Sequence, residues 1–401
     1  MVDIKNKIKR IAIFTGNRAE YGLQIPILRA IDDNPNLEYY LIVSGAHLDP
    51  SFGSTVEEIE RDGFTIHEKV DIGSGGSDLI STSEIIGTAV IKLTKIIKKS
   101  KPDIFLVYAD RYESFAAAIA SSQTNTITAH VEGGDLTEGG ALDDNVRHAM
   151  TKLSHLHYVT NSDSYNRVLS MGEEEWRTHL VGYPAIDLID NQEYIKPDDI
   201  NKHIDLNLSK PIILFTQHSV TNKFTEAKKQ LIESLSAIER VSREREIQCI
   251  FTYPNNDAGG IEIYNIIQEH TKNINNTFIR QSLGRELYWG ILNLNLNSKT
   301  KVICMGNSSS GIKETATFKC PTINIGTRQS GRLRGDNIID TDYDREEIYK
   351  AINYCIDDID FLKVCRDSEN PYGLGGAGYK IAESLSNIEC DDKLLTKKMT
   401  I

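Results

Sequence analysis

The feature that most constrains this chain is an alternation of short apolar runs with helical patterns that runs its course twice. In the first half, the runs Ile11–Thr15, Leu41–Ser44, Ile104–Tyr108, Thr126–Ala129 and Leu156–Thr160 read as strands, and Leu180–Pro184 closes the set. Helical patterns starting near Tyr21 and covering Thr82–Lys99, Tyr112–Ser122 and Ser164–Ser170 fall between them, with another opening at Asp143. The alternation restarts with Pro211–Thr216, Ile247–Tyr253, Val302–Met305 and Thr322–Ile325, interleaved with helical stretches Thr225–Arg243 and Gly284–Asn293. Ile104–Tyr108 is a continuous apolar run, the mark of a strand buried on both faces of a parallel sheet. Strands alternating with helices, twice over, predict an α/β chain of two Rossmann-like domains with parallel sheets facing an interdomain cleft. The polar, Asn- and Asp-rich stretch Asp187–Ser209 is the expected connection between them.

Composition narrows the function. A net charge of −12 over 401 residues argues against a nucleic-acid partner or an anionic membrane surface. An anionic ligand therefore has to be met by a local cluster of arginines. No run approaches the ~18 apolar residues of a membrane-spanning helix, and the charged start Met1–Arg10 lacks the apolar core of a signal peptide. A cytoplasmic location is expected. Cys249, Cys304, Cys320, Cys355, Cys365 and Cys390 show no CxxC spacing, which predicts reduced thiols and no metal site.

Ligands of open α/β sheets bind beyond the carboxyl ends of the strands, so the residues there are the candidates for chemistry. The stretch HVEGGDLTEGGALDDNVRHAMTK (130–152) puts His130 and Glu132 at such an end and opens the next helix with Asp143 and Asp144. At about 100° per residue, Val146, Ala149, Met150 and Leu153 share one apolar face, and Asp143, Asp144, Arg147 and His148 form a stripe beside it. An ordinary capped helix with an Asp143–Arg147 pair would look similar; the His and Glu one loop upstream favour a reactive cluster. Asp110, followed by Arg111, ends another strand, either as a helix N-cap or as a catalytic carboxylate. Arg18 follows the first strand where a helix N-terminus could help it hold an anion, and His47 follows the second, where a lone His is as readily structural. No G-x-G-x-x-G follows the first strand, so a nicotinamide fingerprint is absent there.

In the second half, GNSSSG (306–311) lies between a strand and a helix. Its backbone N–H groups and the hydroxyls of Ser308, Ser309 and Ser310 could cradle phosphate, although a Ser-rich N-cap would have the same sequence. Glu314 is placed to accept the two hydroxyls of a ribose. Arg328, Arg332 and Arg334 crowd the next loop of an otherwise acidic chain. Together these features predict a nucleotide diphosphate as ligand.

Eight stretches, in order, then resemble one family: GNRAEYG (16–22), SGAHL (44–48), ADRYE (109–113), HVEGGD (130–135), DDNVRHAMTKLSHLH (143–157), PNNDAG (254–259), GNSSSGIKE (306–314) and INIGTRQSGR (323–332). They resemble the hydrolysing UDP-N-acetylglucosamine 2-epimerases of sialic-acid-type biosynthesis and, more distantly, the non-hydrolysing bacterial enzymes. Three positions depart from the family pattern: Ala109 for a usual Gly, Gln217-His218-Ser219 for Phe-His-Pro, and Asp135 for Glu. The resemblance implies a GT-B-like fold, with residues 1–186 completed by the helix in 377–401 and residues 187–376 forming the nucleotide-binding domain. It implies removal of the C2 proton of the sugar, loss of the nucleotide from C1 to give a 2-acetamidoglycal, and addition of water to release the 2-epimer. The catalytic residues it implies are Asp110, Glu132, Asp143, Asp144 and His218. Those it implies for substrate binding are Arg18, His47, Arg111, Arg147, His148, Asn255, Ser308, Ser309, Ser310, Gly311, Glu314, Arg328 and Arg334. The implied partner is UDP-N-acetylglucosamine or a relative, such as a GDP- or UDP-linked diacetamido-trideoxy sugar, with no metal or other cofactor. A homodimer or homotetramer is implied as well.

Overall fold

Each set of apolar runs forms its own parallel sheet. The computed structural model describes residues 8–50, 55–73, 79–137, 141–219, 226–253, 260–297 and 300–401. In the first sheet, β1 (Lys9–Thr15), β2 (Leu37–Ser44), β3 (Ile66–Val70), β4 (Ile104–Tyr108), β5 (Ile127–Val131), β6 (Leu156–Val159) and β7 (Thr178–Leu180) are ordered β3-β2-β1-β4-β5-β6-β7. In the second, β8 (Ile212–Thr216), β9 (Gln248–Thr252), β10 (Thr277–Arg280), β11 (Val302–Gly306), β12 (Thr322–Ile325) and β13 (Ile338–Thr341) are ordered β10-β9-β8-β11-β12-β13. Both orders reverse once, between β1 and β4 and between β8 and β11. Such reversals create the crevices in which doubly wound sheets bind ligands. The fold is therefore α/β and GT-B-like, built of two Rossmann-like sheets.

The chain divides into two compact units. One comprises Met1–Asp135, Leu142–Leu188 and Tyr372–Ile401, the other Leu136–Ala141 and Ile189–Pro371. In the first, every residue of β4 and β5 is buried. Ala116, Ala117 and Ala120 on the helix Tyr112–Gln123 have side chains small enough to bring its backbone close to that sheet, and Phe105, Val107 and Leu93 share their cluster. In the second, Phe215 and Phe251 meet edge to face at 5.4 Å, within a cluster that includes Leu231, Leu235 and Ile238. Each such fully buried side chain stabilises its unit by roughly 1.5–3 kcal/mol. Among the described residues no helix is long and apolar enough to cross a membrane.

The C-terminal segment is tied into the first unit by charge and capping. The Asp187 carboxylate accepts from the backbone N–H groups of Ala377 and Gly378 (2.9 and 2.8 Å), closing the start of the helix Ala377–Asn387. The buried Arg177 guanidinium donates to the carbonyls of Lys393, Leu394 and Thr396. Glu173 lies within ion-pair distance of Lys152, His157 and Lys397. Asp187 thus belongs to the helix Ala185–Asp190, and the stretch expected as a plain connection also holds the 3₁₀ turn Pro197–Lys202.

Candidate active site

The carboxyl ends of β4 and β5 are held by unusual backbone. Ala109 and Glu132, the residues following each strand, both have positive φ (55° and 66°), a conformation that disfavours side chains other than glycine's by roughly 1–2 kcal/mol. Here hydrogen bonds enforce it. The Ala109 N–H donates to the Val131 carbonyl (3.0 Å), and the Glu132 N–H donates to that of Tyr158 (2.8 Å). His130 Nε2 lies 2.7 Å from the Ala109 carbonyl and its Nδ1 3.2 Å from the Thr151 hydroxyl. β5 runs through His130, so this residue is fully buried in the strand, contrary to its expected place at the strand's open end. Burial pushes its imidazole down to about 3, and the neutral ring braces Ala109.

Turning the chain at these two points brings Asp110 and Glu132 to one cation. Arg147, on the helix Ala141–Leu153, donates to the Asp110 carboxylate and to the Glu132 carbonyl (2.9 Å), and the Glu132 carboxylate lies 4.0 Å away. Arg147 is 2% exposed, and the surrounding carboxylates, Asp110 foremost, hold its charge against burial. The guanidinium is therefore no solvated surface group; it serves Asp110 and Glu132. Nor is Asp110 a helix N-cap, because Arg111 occupies that position and offers no side-chain bond. Asp143 and Asp144 lie in the first turn of the Arg147 helix, 143 exposed and 144 partly so. His148, next along, is lowered by burial and by Arg147 and Arg167.

A second acidic group lies beside β1 and was not foreseen in the sequence. Glu20 and Glu113 are 4% and 1% exposed. The Glu20 carboxylate accepts from the Gly16 N–H (3.1 Å) and the Ser114 hydroxyl (3.2 Å). Burial, with Glu113 close by, pushes the Glu20 carboxyl up to about 8. Glu113 packs so tightly on the turn after β1 that a Cβ on Gly16 would come within 2.8 Å of it. Arg111, half exposed, lies 3.5 Å from Glu113 through Nε. Arg18 is exposed and pairs with Glu58 at 2.8 Å. His47 is buried: its ring nitrogens lie 3.0 and 2.7 Å from the hydroxyls of Thr15 and Thr55, and burial pushes it down to about 4.

In the second unit the reversal between β8 and β11 is close enough to need glycine. A Cβ on Gly306, whose φ is +129°, would lie 1.9 Å from the Thr216 carbonyl. Asn307, the next residue, is fully buried; its side-chain amide accepts from the His218 N–H (2.7 Å) and donates to the His218 carbonyl (2.9 Å). Arg328 and Gln329 donate to the Asn307 carbonyl. Burial and Arg328 push His218 down to about 3, so its imidazole is neutral. Ser308 starts the helix Ser309–Lys313 without a side-chain capping bond, unlike an ordinary Ser N-cap. Gly311 is buried in that helix. Glu314 follows it and is 8% exposed. Its Oε2 accepts from Ser310 Oγ (2.6 Å) and from Trp289 Nε1 (2.7 Å), and burial raises its carboxyl. Trp289 lies far from any motif quoted above. The basic cluster is largely internal. Arg334 pairs with Asp340 at 2.7 Å, and Arg332 binds the Leu136 carbonyl and the Thr137 hydroxyl. Asn255 lies outside the described residues.

Comparison with known proteins gives this geometry a context. A family model described as UDP-N-acetylglucosamine 2-epimerase matches residues 29–386. The chain is 34% identical over 335 residues to the GDP/UDP-N,N'-diacetylbacillosamine 2-epimerase (hydrolyzing) of Campylobacter jejuni, which covers 83% of this chain and 84% of that protein. It is 31% identical over 346 residues to a UDP-N-acetylglucosamine 2-epimerase of Neisseria meningitidis, covering 86% and 87%. Among solved structures, the UDP-GlcNAc 2-epimerase from Neisseria meningitidis bound to UDP-GlcNAc matches with a TM-score of 0.80 at 17% identity, over 94% of this chain and 99% of that one.

Proposed function

Because the chain belongs to the UDP-N-acetylglucosamine 2-epimerase family, and is thus a 2-epimerase of nucleotide sugars, we propose that it is the hydrolysing kind. In this reading it converts UDP-N-acetylglucosamine and water to N-acetylmannosamine and UDP. The observation that carries the reading is the pair of carboxylates, Asp110 and Glu132, brought to one buried arginine at adjacent strand ends. The C2–H and C1–O bonds break to give the 2-acetamidoglycal. Water then adds at C1 and a proton returns to C2 on the opposite face. Inversion at C2 asks for acid/base groups on both faces, and Asp110, Glu132 and Asp143 or Asp144 supply the carboxylates. Arg147 keeps Asp110 and Glu132 in place while the sugar reacts. Arg18, His47, Arg111, Arg147 and His148 are the first unit's candidates for substrate contact.

In the second unit, the hydroxyls of Ser308 and Ser309 and the N–H groups of Ser308–Gly311 would receive phosphate, Glu314 the ribose hydroxyls, and Arg328 the diphosphate charge. A neutral His218 suits hydrogen bonding to the departing diphosphate better than electrostatic neutralisation. A leaving diphosphate needs such donors and cations more than it needs protonation. No step in this chemistry needs a metal or a redox cofactor.

The same chemistry on a diacetamido-trideoxy nucleotide sugar is favoured by a different observation, the identity to the Campylobacter jejuni enzyme named for that substrate. Incubation with UDP-N-acetylglucosamine and, separately, UDP-N,N'-diacetylbacillosamine, followed by mass spectrometry of the free sugars, decides between them. Release of N-acetylmannosamine supports the first reading. Release only from the diacetamido sugar supports the second, and epimerised sugar still linked to UDP would assign the non-hydrolysing reaction.

A further inference from the structure

The carboxylate of Glu314 is not left to orient itself. Trp289 Nε1–H and the Ser310 hydroxyl both donate to Oε2, at 2.7 and 2.6 Å, and no described group takes Oε1. Trp289 is 3% exposed and sits on the helix Gly284–Asn297. That helix has little freedom to slide: a Cβ on Gly290 would lie 2.5 Å from the Ile195 carbonyl. The neighbouring Tyr288 hydroxyl lies 3.4 Å from Cys304 Sγ on β11, and the Arg285 guanidinium carbon lies 5.5 Å from the centre of the Trp289 ring. The indole is therefore a fixed donor. A carboxylate with one oxygen taken by two fixed donors keeps its second oxygen in one direction.

We propose that Trp289 is a positioning residue for nucleotide selectivity, holding Oε2 of Glu314 so that Oε1 is presented to the ribose hydroxyls. The inference rests on the reading above that Glu314 meets the ribose. It adds that discrimination for a ribonucleotide over a deoxyribonucleotide depends on an indole N–H that touches no ligand atom. A carboxylate free to rotate would still bind a hydroxyl, but it would first lose rotational freedom, and one oxygen would no longer be reserved for the ligand.

The test is the ratio of affinities for UDP and 2′-deoxy-UDP, measured by calorimetry on the full chain. The wild-type protein should favour UDP by about tenfold or more, as a charge-assisted hydrogen bond implies. Trp289→Phe keeps the packing but removes the donor. It should reduce that ratio several-fold while 2′-deoxy-UDP affinity stays within about twofold. Should Trp289→Phe fail to fold, benzothienylalanine at position 289, which keeps the bicyclic shape without the N–H, gives the same reading. An undiminished ratio in the folded variant overturns the proposal. Glu314→Ala separates the two levels. A ratio kept in Glu314→Ala refutes the ribose reading itself, whereas a ratio lost there and kept in Trp289→Phe refutes only the part assigned to Trp289.

Discussion

The strand ends of the two units solve opposite problems. In the first, Asp110 and Glu132 converge on a buried arginine, and Glu20 and Glu113 lie beside the next turn. In the second, the corresponding reversal gathers the Asn307 amide, a neutral His218, three serines and the Arg328 guanidinium, with the carboxylate of Glu314 after them. Buried carboxylates near one another are costly to assemble and useful only where protons move. N–H groups, hydroxyls and arginines at a strand end suit an anion that is held and released. The difference supports the proposal that the first unit carries the proton chemistry and the second the nucleotide.

The comparison breaks most visibly at Arg147. Arg147→Met removes the cation and leaves buried carboxylates uncompensated, and it should destabilise the protein by about 3–5 kcal/mol in urea unfolding. Adding Asp110→Asn should recover part of that loss. A cost below about 1 kcal/mol would mean that water, rather than Arg147, compensates the carboxylates.

Asp110→Asn and Glu132→Gln should each lower turnover by about 10²-fold or more, with UDP affinity within about twofold of wild type. Glu314→Ala in the second unit should do the reverse, weakening UDP binding more than it slows chemistry. Parallel calorimetry and steady-state kinetics on these variants would show whether the division of labour holds. Equal effects on binding and turnover in both units would dissolve it.

Glu20 sharpens the picture through pH. Its folded-state value of about 8 lies above the ordinary 4.5, so the native protein holds a proton that the unfolded chain releases. Its contribution to stability is full below about pH 4.5 and is lost as pH rises towards and through 8. Glu20→Gln should remove this slope. Relative to the variant, the wild type should lose on the order of a few kcal/mol between pH 5 and pH 8.5. Parallel stability curves over that window would show that Glu20 ionises freely.

The smallest effect is expected at Ala109. With φ at +55° it carries a strain glycine would not. Ala109→Gly should stabilise the protein by about 0.5–1 kcal/mol, the strain relief offset in part by glycine's greater freedom when unfolded. No gain in denaturant midpoint would mean that His130 and Val131 hold the turn without strain.

How far the sequence speaks depends on where a residue's partners lie. Interior strands such as β4 and β11 were legible because both faces are buried and the run is continuously apolar. Edge strands β3, β10 and β13 were not: they have four or five residues and mixed burial, and nothing in their pattern separates them from loops. Asp110 and Glu132 were legible because strand ends mark them. The bracing of Ala109 by His130, the Glu20–Ser114 bond and the Trp289–Glu314 bond were not. Those pairs are 21, 94 and 25 residues apart in sequence, and only the folded sheet order brings them together. The arginines of 328–334 looked alike in sequence, yet Arg332 and Arg334 are engaged inside their own unit.

The most direct test of the account is the fate of the C2 hydrogen. Run in D₂O with UDP-N-acetylglucosamine, or with the diacetamido sugar if that is the one turned over, the released sugar should carry deuterium at C2. The Asp110 and Glu132 variants should slow its formation in step with turnover. Free sugar released with protium retained at C2 would contradict the central claim, because a nucleotide lost without breaking the C2–H bond is simple hydrolysis.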